Sequence, residues 1–177
     1  MLVFNFDINN TITKIGRKYK GMKIELFPSF MKIFEVYPEC RIVFRTYGRN
    51  RLDLLKEFIN YDFIQLKTDW KNGDSPTYVD DYGEVVDINN LLLTTDTKTI
   101  IFINEDYHKW AGEKYNPKFG KIINGNDKLL QMGFDDKDCM YTEDLNVKLH
   151  MVDVDKASTD ENYYIDLICV MSDDVES

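Results

Sequence analysis

Cysteine is sparse. Cys40, Cys139 and Cys169 form an odd, widely scattered set without a CxxC pair, which argues against a disulfide framework and against a cysteine-based zinc site. Histidine is scarcer still, and His108 and His150 stand too far apart in sequence to read as a ligand pair. No run approaches the roughly 18–20 apolar residues of a membrane-spanning helix, and MLVFNFDINN has neither the basic region nor the long apolar stretch of a secretory signal. Neither GxxxxGKS/T nor GxGxxG occurs, so a nucleotide-cradling loop is not supported. These absences set the expectation of a cytoplasmic chain with reduced thiols and no membrane partner.

What is present is the composition of an ordinary globular chain: 177 residues, 44% hydrophobic and 30% charged. The expected organisation is a single domain over residues 1–171 and an acidic, frayed tail over 172–177. The net charge of −9 is unevenly spread, since residues 153–177 hold eight acids against the single base Lys156. The body is therefore close to neutral, which disfavours general affinity for nucleic-acid phosphates. Lys14, Arg17, Lys18, Lys20 and Lys23 form one basic cluster, either a solvated face or an electropositive rim for an anionic substrate.

Short apolar runs alternate with helical spacing. Leu2–Phe6, Arg41–Phe44, Phe63–Leu66, Thr99–Asn104 and Leu129–Phe134 read as strands, and Lys148–Val154 and Tyr163–Met171 as later ones. Pro28–Tyr37 and the Leu52, Leu55, Phe58, Ile59 set read as amphipathic helices. Residues 67–90 read as loops with a hairpin around Asp81-Tyr82-Gly83. Asp153, Asp155, Asp160 and Glu161 lack the glycine and glutamate spacing of a calcium loop and read as a polar loop. The alternation predicts an α/β fold with a mainly parallel sheet flanked by helices.

In such sheets ligands bind beyond the carboxyl ends of the strands. Several strands here end in phosphate-suited groups: Asp7, Thr46, Glu105-Asp106 and Asp135-Asp136. A carboxylate beside Mg²⁺ can attack phosphorus, and Mg²⁺ takes hard oxygen ligands, usually one or two carboxylates with water and phosphate. A hydroxyl and a lysine suit the phosphoryl oxygens.

Val3-Phe4-Asn5-Phe6-Asp7-Ile8-Asn9-Asn10-Thr11 resembles the first motif, DxDxT after a hydrophobic strand, of the haloacid dehalogenase (HAD) superfamily. Ile42-Val43-Phe44-Arg45-Thr46-Tyr47-Gly48 resembles its second motif. Asp106-Tyr107-xx-Trp110, Gly120-Lys121 and Phe134-Asp135-Asp136 are similar to a branch with an Arg-Thr-aromatic-Gly second motif. The resemblance covers about residues 1–155 and implies a HAD-like, Rossmannoid domain and Mg²⁺-dependent phosphatase chemistry. It makes Asp7 the nucleophile, and Thr46, with Tyr47 and Gly48, the phosphate-binding turn. Lys121 becomes the phosphate-charge lysine, and Asp7, Asn9 (through its backbone carbonyl), Asp135 and Asp136 the metal ligands. Glu105-Asp106 is the second choice for the acidic pair and would leave Lys98 or Lys67 as the lysine.

Asn9 departs from that pattern, which places at this position an aspartate acting as general acid and then base. An amide has no such titration, and losing a general acid–base group costs about 10²–10⁴-fold in rate. Slow turnover is expected, or a HAD-fold module that binds a phosphorylated small molecule or phosphoprotein without turning it over. Residues 12–45 leave no room for a large cap before Thr46, so an open site, covered by a bulky substrate or a protein partner, is also expected.

Overall fold

The computed structural model describes residues 1–14, 25–46, 51–69, 77–104, 130–136 and 147–176. Within them lie β1 (Leu2–Phe6), α1 (Pro28–Val36), β2 (Arg41–Thr46), α2 (Arg51–Phe58), β3 (Asp62–Asp69), β4 (Thr77–Val79), α3 (Ile88–Thr94), β5 (Thr99–Asn104), β6 (Leu130–Asp135), β7 (Val147–Met151), α4 (Val154–Thr159) and α5 (Tyr163–Glu176). The strands form one seven-stranded sheet in the order β4-β3-β5-β2-β1-β6-β7. Every pairing is parallel except β3 with β4. The α/β architecture with a mainly parallel sheet is as expected from the alternation of elements.

Side chains alternate across a strand, so β1 sends Phe4 and Phe6 to one face and Val3 and Asn5 to the other. The first face is aromatic. Phe4, Phe6, Phe44, Phe102 and Phe134 pack there against Phe30 and Ile33 of α1, Leu55 of α2, and Tyr164 and Ile168 of α5. Phe6 stacks on Phe134 with ring centroids 4.7 Å apart, and Tyr164 meets both edge-on. Such pairs contribute roughly 0.5–1.5 kcal/mol beyond the area they bury. The second face is aliphatic: Val3, Val43, Leu66, Ile101 and Ile103 pack against Ile88 and Leu92 of α3. Covering both faces explains why the strands are apolar nearly throughout.

The chain leaves β1 for β2 on one side and later returns to β6 on the other, so the strand order reverses at the β1/β6 boundary. That boundary is where open α/β sheets present their ligand crevice.

Three elements differ from expectation. Tyr163–Met171 is not a strand but part of α5, because Tyr164 and Ile168, four apart, are the fully buried pair of that run. A nearly continuous apolar run does not distinguish the two periods. The polar stretch after Met151 contains α4, N-capped by Asp153, whose carboxylate accepts from the Lys156 amide at 3.2 Å. Residues 67–90, expected as loops with a hairpin, also hold the end of β3, the short β4 and, from Ile88, the start of α3 with Asp87 as its cap. The expected hairpin is present: β4 continues through a turn in which Gly83 has φ 81° and Val79 bridges Val85. Among the described residues no helix is long and apolar enough to cross a membrane.

Candidate metal centre

β1 is followed by Asp7, the buried Ile8 and the turn formers Asn9 and Asn10, and the ladder to β6 extends one residue further than the strand. The Asp7 amide donates to the Phe134 carbonyl at 3.0 Å, which sets Asp7 beside Asp135. Asp135 is itself fixed from the far side, because the Val152 amide donates to its carbonyl at 2.7 Å. Both acids are thus carried on backbone that the sheet holds in place.

After Asp7 the chain doubles back. Asn10 takes a left-handed φ of 60°, a conformation that asparagine tolerates better than most residues. Its amide donates to the Thr13 carbonyl at 2.7 Å. The turn brings the Thr11 hydroxyl to 3.5 Å from Asp7 Oδ2, the outer limit of a hydrogen bond. Beneath it the buried Tyr164 hydroxyl donates to the Thr11 carbonyl.

One carboxylate oxygen each from Asp7, Asp135 and Asp136 lies within 4.8 Å of the others. Asp135 is buried, and Asp7 and Asp136 are half-buried. Like charges at that spacing repel by on the order of 3 kcal/mol per pair at an effective dielectric near 20. The consequence falls on Asp136, whose pKa is raised to about 7 by burial, then by hydrogen bonds to Asp135 and Asp7 and by their charges. Burial and these same acids also push the Tyr164 hydroxyl well above its ordinary value. Three carboxyl oxygens converging at the end of a sheet fit a hard divalent cation such as Mg²⁺, Mn²⁺ or Ca²⁺, whose charge would favour the ionised form of all three.

Of the residues singled out in the sequence, the structure gathers Asp7, Asp135 and Asp136. Thr46 lies at the end of β2, the strand adjacent to β1, buried and in register with Asn104 of β5. Asn9 sits half-buried in the turn, bridged to Thr13. Lys14 is exposed. Tyr47, Gly48, Glu105, Asp106, Lys121, and Arg17, Lys18, Lys20 and Lys23 of the basic cluster lie outside the described residues.

Two contributors have no role in the sequence reading. Tyr164 supports the turn from below, and its signal was the four-residue spacing to Ile168. On the aliphatic face, buried Arg45 donates from Nε to Asn5 Oδ1 at 2.9 Å and from Nη1 to the Tyr78 hydroxyl at 3.2 Å. Its guanidinium carbon also lies 5.7 Å from the centre of the Tyr78 ring. Arg45 was legible only as part of a motif, since polar pairing across three strands leaves no local pattern.

Comparison of the chain with protein-family models, with curated proteins and with solved structures gives no match.

Proposed function

We propose that the chain is a HAD-like, metal-dependent phosphohydrolase or phosphotransferase with Asp7 as its nucleophile. The observation that carries this reading is the convergence of Asp7, Asp135 and Asp136 within 4.8 Å at the β1/β6 boundary. The first-motif likeness and the order of the strand tips support it. In this reading the Asp7 carboxylate attacks phosphorus, the bond to the leaving oxygen breaks, and water later cleaves the aspartyl phosphate. The Thr46 hydroxyl donates to a phosphoryl oxygen. Asp7, Asp135 and Asp136 would hold the cation, Mg²⁺ in the expected case. Bound there, it supplies charge neutralisation and polarises the phosphoryl group.

Asn9 favours a second reading from another class, a module that binds a phosphorylated ligand or phosphoprotein with little turnover. With no titratable group at that position, neither leaving-group protonation nor activation of water is assisted there.

Hydrolysis of p-nitrophenyl phosphate by the parent and by Asn9→Asp separates the two. For an enzyme short of its acid, Asn9→Asp raises the rate by about 10²–10⁴-fold, and adding Asp7→Asn abolishes it. Parent activity lost in Asp7→Asn also supports the enzyme. Silence in the parent with activity in Asn9→Asp supports the binding module. Silence in both, with no divalent-cation binding, rejects both.

A further inference from the structure

The backbone around both acids is tied to consecutive residues of one helix. Tyr164, in the first turn of α5, is fully buried. Its ring meets edge-on both Phe6 and Phe134, the cross-strand partners that immediately precede Asp7 and Asp135. Its hydroxyl donates to the Thr11 carbonyl, and the Thr11 hydroxyl in turn reaches Asp7 Oδ2 at 3.5 Å. Tyr163 reaches the segment that follows β7. Its hydroxyl accepts from the Asp153 amide at 3.0 Å and lies 3.2 Å from His150 Nε2. Asp153 follows Val152, whose amide donates to the Asp135 carbonyl. The two tyrosine rings pack edge-on against each other, with centroids 5.1 Å apart.

Groups behind the ligands of a metal orient those ligands, and removing one commonly weakens the metal by about 10–100-fold. A buried hydroxyl bonded to a backbone carbonyl is a directional restraint, and its loss leaves that carbonyl without the bond. Packing against Phe6 and Phe134 needs only the ring of Tyr164, which phenylalanine would supply. The hydroxyl instead reaches the turn that follows Asp7. We propose that Tyr164 and Tyr163 are positioning residues for the metal site. Through the Thr11 turn and the Asp153 amide, the start of α5 sets the separation of the Asp7 and Asp135 carboxyl groups, and thereby the affinity for a divalent cation. Neither tyrosine contributes a ligand atom. The inference rests on the reading of Asp7, Asp135 and Asp136 as metal ligands.

Mn²⁺ titration of the full chain, followed by electron paramagnetic resonance, tests this on the parent, Tyr164→Phe, Tyr163→Phe and Ile168→Val. Both tyrosine variants keep their rings and lose only a hydroxyl. Tyr164→Phe is expected to weaken Mn²⁺ binding about tenfold or more, and Tyr163→Phe about threefold or more. Ile168→Val trims a fully buried side chain one turn further along α5. It should lower Tm while leaving the Mn²⁺ Kd within about twofold of the parent. An unchanged Kd in either tyrosine variant overturns the proposal. So does a loss in Ile168→Val equal to that in Tyr164→Phe, which would be a general loosening of the core. Should Tyr164→Phe fail to fold, the half-buried Tyr163 decides: weakened Mn²⁺ binding in Tyr163→Phe supports the positioning role, and undiminished binding refutes it. A parent that binds no Mn²⁺ rejects the metal site and the inference together. Binding in the parent without a response from the tyrosines rejects the inference alone.

Discussion

Arg41 and Arg45 lie on one strand, point to the same face, and are both buried, yet their surroundings are opposite. Arg45, towards the carboxyl end of β2, meets Asn5, the Tyr78 hydroxyl and the Tyr78 ring. Arg41, at the amino end, has two nitrogens without an acceptor and borders an open cavity. Across the β1/β6 boundary three carboxyl groups, those of Asp7, Asp135 and Asp136, gather within 4.8 Å of one another. Buried charge that neighbouring side chains neutralise or hydrogen-bond belongs to the architecture. Buried charge that they leave unmatched, as at Arg41, is destabilising and is offset elsewhere in the fold.

The largest effect on stability is expected from breaking the balanced member. Arg45→Met strands the Asn5 and Tyr78 acceptors and should cost on the order of 3 kcal/mol, a fall in Tm of about 6–12 °C for a chain of this size. A Tm within 2 °C of the parent, measured by calorimetry, would mean that Arg45 is no better accommodated than Arg41. Next comes the acidic end. A divalent cation at about 100 times its Kd should stabilise the parent by about 2.7 kcal/mol, and Asp135→Asn should remove most of that gain. Thermal melts with and without Mn²⁺ measure both, and an undiminished gain in the variant would displace the metal from these acids.

A smaller effect follows from Asp136, whose pKa rises from the ordinary 3.8 to about 7. Between those values the unfolded chain has released this proton while the folded protein retains it. Stability without metal therefore falls as pH rises from about 4 to 7. Asp136→Asn should flatten that decline in urea melts run across the range, and an unchanged slope would assign it to other groups. The smallest change is expected at the unbalanced guanidinium. Arg41→Met should leave Tm unchanged or raise it by a few degrees, since the apolar side chain removes an unpaired buried charge. A loss as large as that of Arg45→Met would erase the contrast between the two arginines.

The sheet was legible because its strands carry their signal locally: LVFNF, RIVF and TIIFIN are short, apolar and closed by turn formers. Asp7 and Asp135-Asp136 stood out for the same reason, being the first polar residues after such runs. What escaped local reading depends on partners distant in sequence. The run from Tyr163 carries apolar residues at both strand and helix spacings, and only burial against Phe6 and Phe134 decides between them. The seven-residue α3 rests largely on its Asp87 cap and two buried side chains. Arg41 reads as an unremarkable start to a strand, and nothing local announces that its guanidinium goes unmatched.

Phe134 has two neighbours of different kinds: its ring stacks on Phe6 beneath the sheet, and its carbonyl receives the Asp7 amide at the rim. The packing of the core and the placement of the acids therefore share one residue. A library that shrinks or enlarges this ring to tune thermal tolerance would also retune the spacing of the carboxylates. Selection acting on either trait would be visible in the other.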